Sequence, residues 1–161
     1  MLPEDLQDLI NALAQTPHTV ASLVKDLSEP DLRIKNSPAE FSVIENVCHL
    51  RDIEIEGYTA RIGRILRENN PLLPDIDGSR LAVEREYHSQ NLSEALKAFA
   101  VARNQNTQTL SGLATEQFDR EGTLEGVGSM TIRALLLMMR DHDADHLREL
   151  SSIRGRLNFA S

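Results

Sequence analysis

Two histidines four residues apart, His142 and His146, lie in the segment TIRALLLMMRDHDADHLRELSSIR, from Thr131 to Arg154. On an α-helix that step rises about 6 Å and returns to nearly the same face, so both imidazoles can converge on one point. Metal sites use this spacing, but it also arises on solvated faces and for hydrogen-bonded core histidines. The setting favours a ligand role. Ile132, Leu135, Leu136, Met139, His142, Asp143, His146, Leu150 and Ile153 recur at three- and four-residue steps as one buried stripe. A polar ring interrupting such a stripe costs about 1–3 kcal/mol unless it finds a partner. Asp141, Asp143 and Asp145 crowd the same turn, where carboxylates either add oxygen ligands or orient imidazoles. Solvation is the simpler role for Asp141 and Asp145.

The pair needs a long helix to carry it and other helices to bury it. Thr131 as N-cap and Gly155 as stop predict a final helix of about 24 residues, roughly 36 Å long. Upstream, Pro3 followed by Leu6, Leu9, Ile10, Leu13, Val20, Leu23, Val24 and Leu27 predicts a first amphipathic helix ending near Ser28, with Thr16-Pro17 as a kink or break. Ser42 and Glu45 form a capping box that starts a second helix, whose apolar residues continue to Leu66 before Glu68-Asn69-Asn70-Pro71 stops it. Its own periodicity sets His49 on the side of Glu45 and Asp52, away from the centre of the apolar arc. Residues 71–88 predict a long connection with one short helix, and His18 and His88 fall at surface and loop positions. Asn91 with Glu94 caps a third helix that ends near Gly112. The stretch from Ala114 to Met130 predicts a hairpin-like or irregular loop, and its Gly126-Val127-Gly128 lacks the strand and the Lys of a phosphate loop.

Composition narrows the function. The length of 161 residues suits one domain over the whole of 1–161, and the formal net charge of −8 disfavours nucleic acid and anionic membrane surfaces. Aromatic residues make up 4 % and Trp is absent, which removes base-stacking platforms. The lone Cys48 excludes an intramolecular disulfide, and no apolar run is long enough to span a bilayer, so a cytoplasmic protein is expected. Cys48 lies nearer the apolar arc than His49 does, and reads as a buried structural thiol rather than a nucleophile.

The pattern predicts an all-α four-helix bundle. FSVIENVCHLRDIE resembles the Trp-Ser-x-x-Glu-x-x-x-His-Leu segment that opens the second helix in the DinB-like (YfiT-like) metalloenzyme superfamily, and DHDADHLREL resembles its His-x-x-x-His final helix. The resemblance implies an up-down-down-up bundle with a divalent metal, often nickel or zinc. Its ligands would be one histidine from the second helix and two from the last, which in this chain are His49, His142 and His146. Phe41 stands where the family usually has Trp, and Glu149 where it commonly has Gln.

Three neutral imidazoles leave a coordination position open, as catalytic metal sites do. The superfamily includes transferases that use bacillithiol or mycothiol, together with isomerases and hydrolases. The resemblance therefore implies transfer of a small-molecule thiol to an electrophilic substrate, with metal-dependent hydrolysis or a non-catalytic metal-binding bundle as alternatives. Asp143, Asp145, Glu45, Asp52 and Glu149 are the candidates for proton transfer or for orienting the imidazoles. A homodimer is also expected. Because an imidazole must lose its proton to coordinate, metal affinity is expected to fall below about pH 6.5.

Overall fold

A computed structural model describes residues 1–160. Helix α1 (Glu4–Val24) carries Glu4 and Asp5 in its first turn, where carboxylates complement the helix N-terminus. Pro17 lies inside this helix without dividing it. Lacking an N–H, Pro17 releases the carbonyl of Leu13 one turn back, and Arg103 Nη1 donates to that carbonyl at 2.8 Å. The freed acceptor has a buried partner, so the helix runs on.

Helix α2 (Val43–Asp52) begins at the Ser42 cap. Ser42 Oγ accepts from the Glu45 N–H at 3.2 Å, and Glu45 Oε1 accepts from the Ser42 N–H at 3.0 Å. The expected single helix to Pro71 is interrupted. Residues Ile53–Thr59 widen into a π-helical turn before α3 (Ala60–Arg67) resumes. Such turns disturb the regular carbonyl pairing, and Thr59 Oγ1 donates to the Glu54 carbonyl at 2.8 Å.

After β1 (Leu72–Leu73), α4 (Gly78–Glu84) and α5 (Leu92–Ser111), the strands β2 (Glu121–Leu124) and β3 (Gly128–Thr131) form a hairpin. Gly126 supplies the positive φ of +78° that its short loop requires. Strand β1 pairs in parallel with β2, a small sheet that the sequence does not announce. Helix α6 (Ile132–Ala160) starts directly from β3, with Thr131 Oγ1 accepting from the Ala134 N–H at 3.0 Å. It passes straight through Gly155, the expected stop. Ile153 is buried just before it, and Arg154 Nη1 donates to the carbonyls of Leu23 and Lys25 at the end of α1 at 2.9 and 2.8 Å. These tertiary contacts hold the last turns helical where local propensity would end them.

Pairings along the bundle fix its directions. Helix α6 runs with α1, since Arg133 meets Asp5, Asp143 meets Thr16 and Arg154 meets Leu23. It runs against α2, since Asn46 meets His146 and Tyr58 lies nearer the start of α6, against His142. Helix α5 runs with α2 through Glu54 to Arg103 and Thr59 to Asn106. The four-helix bundle is thus up-down-down-up. Its core has two apolar halves, one around Leu6, Ile10, Leu13, Leu135 and Met139 and the other around Val20, Val24, Ile44, Val47 and Leu150. The buried polar residues Thr16, Glu54, Arg103, Asn106 and Asp143 lie between them in sequence on every helix. No described helix is long and apolar enough to cross a membrane.

Candidate metal centre

The last turn of α2 and the middle of α6 bring three imidazoles together. Ligand nitrogens of His49, His142 and His146 all lie within 4.8 Å of one another, and the ring centroids are 4.5 to 5.1 Å apart. His49 Nε2 and His142 Nε2 stand 3.0 Å apart. Two nitrogens each about 2.1 Å from one cation stand roughly 3.0–3.5 Å apart, so this pair has the separation a shared ion needs.

His146 is oriented by a residue that periodicity did not single out. Its Nδ1 lies 2.7 Å from Asn46 Oδ1. The Asn46 amide nitrogen donates to the Ser42 and Phe41 carbonyls at 3.0 and 3.4 Å, which fixes the oxygen toward the ring. Nδ1 then carries the proton and Nε2 keeps its lone pair, the arrangement of a metal-ligating histidine. Glu149 Oε2 is 3.5 Å from the same Nδ1 and is the weaker contact.

His49 faces the cluster because of what covers α2. Residues Val43 to Leu50 are buried apart from the half-buried His49, so this stretch has no solvent face for periodicity to reveal. The start of α4 packs on the ring: a Cβ on Gly78 would lie 2.6 Å from His49 Cε1. Only glycine permits that approach with the ring where it is.

Of the expected orienting carboxylates, four have partners of their own. Glu45 closes the helix cap and pairs with Lys35 at 3.3 Å. Asp52 accepts from Arg51 Nε at 2.7 Å, Arg85 Nη1 at 3.0 Å and Tyr87 Oη at 2.5 Å. Asp143 points away from the imidazoles into the bundle, where Arg103 grips it through Nη1 and Nη2 at 2.7 and 2.9 Å and Thr16 Oγ1 donates at 2.7 Å. Asp145 pairs with Arg148 at the rim. His18 and His88 are exposed, as expected. Cys48 is fully buried, and burial pushes its thiol up to about 11, so it stays protonated and inert.

Burial is the main force on the three imidazoles. It pushes His49 and His142 down to about 3, helped at His49 by the charges of His146 and His142 and at His142 by those of His146, Arg103 and Arg61, and it lowers His146 as well against the pull of Glu149, Asp145 and Asp143. The expected loss of ligand capacity at pH 6.5 therefore moves to lower pH in the folded chain. The sign follows from linkage: between the ordinary value near 6.5 and about 3 the unfolded chain binds protons that the folded chain refuses. Metal-free protein should consequently lose stability as pH falls through that window, by up to about 1.4 kcal/mol per pH unit for each such histidine. Urea midpoints of chelated protein at pH 7 and pH 5 measure this, and equal midpoints would contradict it.

A cleft of about 740 Å³ opens beside the imidazoles, lined by His49, His142 and His146 with Ile53, Tyr58, Ile76, Leu137 and Met138 among its apolar walls. A second cavity of about 490 Å³ also has His146 in its lining, with Phe41, Ser79 and Glu149.

Comparisons with known proteins agree with this architecture. A solved structure, YfiT from Bacillus subtilis, described as a probable metal-dependent hydrolase with an unusual four-helix bundle topology, superposes with a TM-score of 0.90. The match covers 98 % of this chain and 91 % of that one at 18 % identity, which establishes the shared fold. No curated protein matches the sequence. The DinB superfamily matches residues 12–150, from the middle of α1 to just past the paired histidines of α6, and the chain belongs to that superfamily.

Proposed function

We propose that this protein is a divalent-metal-dependent enzyme in which His49, His142 and His146 hold the ion, nickel or zinc, and the adjoining cleft presents a small electrophile to a low-molecular-weight thiol. The observation that carries the reading is the convergence of three neutral imidazoles at the head of a cleft; among the described residues no fourth histidine, cysteine or carboxylate joins the group. An ion with an open position acts as a Lewis acid that makes a thiol or a water nucleophilic near neutral pH.

The chain's own residues supply the rest. Asn46 holds the His146 ring in one tautomer, and Gly78 lets α4 press His49 into place. The apolar walls limit competing water. Asp75, Asp141 and Asp145 are the carboxylates that line the cleft, and are the ones placed to take up a released proton. Water in place of the thiol is the second reading, favoured by the description of YfiT as a probable metal-dependent hydrolase.

Asn46→Leu, close in size, should weaken metal binding about 10- to 100-fold, the usual effect of removing a group that orients a ligand. Competition against a chelating dye measures it, and an unchanged affinity would remove Asn46 from the site. For the reaction, metal-loaded protein is incubated with monochlorobimane and, separately, bacillithiol, mycothiol, glutathione or cysteine. A rate above background with one thiol, absent in His142→Ala and in chelated protein, supports thiol transfer. Equal rates in all three samples remove it, and the same panel run with activated esters and no thiol then tests hydrolysis.

A further inference from the structure

The bundle buries two arginines, and they are treated very differently. Arg103, 1 % exposed, uses all five of its N–H donors: two on Glu54, two on Asp143 and one on the Leu13 carbonyl. Arg61, 8 % exposed, has one hydrogen bond, from Nη2 to the Pro74 carbonyl at 3.3 Å, and its Nε is buried without any partner. Among the described residues no carboxylate forms an ion pair with it. Its guanidinium lies over the Tyr58 ring, 5.9 Å from the centroid, which offsets part of the cost of burial but satisfies no N–H.

A guanidinium cannot shed its charge, so a buried one without an anion carries a penalty that most folds avoid. Arg61 is not stranded in the core. It lines the same cleft as His142 and His146, beside a wall of Ile53, Ile76, Leu137 and Met138.

The geometry points to Arg61 as the subsite for a carboxylate carried by the substrate, whose remaining body is apolar and lies along the cleft toward the histidines. The assignment rests on the reading of this cleft as the substrate site, and narrows the substrate class to small hydrophobic monoanions. A planar fork of N–H donors matches a carboxylate two bonds at a time. The cleft's other charged residues, Asp75, Asp141 and Asp145, repel a second negative charge, so a dianionic phosphate fits less well than a carboxylate.

Binding, rather than turnover, tests this. Chelated protein and His142→Ala are titrated with 4-phenylbutyrate, with its neutral amide and with phenyl phosphate, by calorimetry and by the NMR signal of the Arg61 Nε–H. The carboxylate should bind about tenfold or more tightly than the amide and shift the Arg61 Nε–H, and Arg61→Met should remove that preference. Arg61→Lys, which keeps the charge without the fork, should retain only part of it. Equal binding of carboxylate and amide, an Arg61 signal indifferent to the carboxylate, or tighter binding of phenyl phosphate would each overturn the assignment. If Arg61→Met does not fold, the NMR shift in otherwise unaltered protein decides. Because these samples contain no metal, failure of the metal reading leaves this result standing, and failure here leaves metal binding untouched.

Discussion

Replacing His142 or His146 with Ala is expected to abolish binding of a divalent ion that the parent takes up at about one per chain. The two residues share one helix face, and their rings converge with His49 within 4.8 Å. Losing either breaks the pair that one helix holds in place and leaves two imidazoles on different helices, with no carboxylate in the group to replace the lost ligand. Equilibrium dialysis against nickel, zinc and manganese measures the loss, with circular dichroism showing that the helices persist. His49→Ala should weaken binding at least about tenfold, because one ligand of three is lost while the α6 pair remains. Parent protein holding under about a tenth of an equivalent after remetallation would count decisively against the site.

Arg103→Met should be the most destabilising single change in the bundle, costing about 3–5 kcal/mol. Among the described residues Arg103 is the one cation in ion pairs with Glu54 and Asp143, which are 1 % and 3 % exposed. Removing it leaves two buried carboxylates facing each other, with only Asn106 and Thr16 to donate to them. Against a total stability of about 5–15 kcal/mol, that is enough to bring the fold near its limit. The triple variant Arg103→Met/Glu54→Gln/Asp143→Asn should recover much of the loss, since it removes the stranded charges along with their partner. Urea unfolding distinguishes the cases; a loss under about 1 kcal/mol in Arg103→Met would show that the layer does not hold the helices together. The same variant should also disturb metal binding, because Asp143 is the neighbour of His142 on α6.

The sequence by itself determined the helices, the caps at Ser42, Asn91 and Thr131, the buried stripe of α6 and the pairing of His142 with His146. These depend on residues within a few turns of one another, and local spacing records them. His49 became legible only through the resemblance of its segment to a family motif. Its own helix is buried nearly all round, so the three-and-four rhythm carries no information about which side faces the histidines of α6. That was decided by α4 and Gly78, some thirty residues on in the chain. The carboxylates show the same limit. Spacing places Asp143 beside His142 and Glu45 before His49, but a helix turns about 100° per residue, and the partner that claims each oxygen lies elsewhere: Arg103 for Asp143, the helix cap for Glu45, Tyr87 and two arginines for Asp52. Local propensity makes Pro17 a kink or a break and Gly155 a stop. Tertiary structure overrules the break and the stop, because Arg103 satisfies the carbonyl that Pro17 frees and Arg154 ties the end of α6 to α1. These long-range hydrogen bonds are worth more than the local preferences they oppose, and only the assembled bundle shows which groups they join.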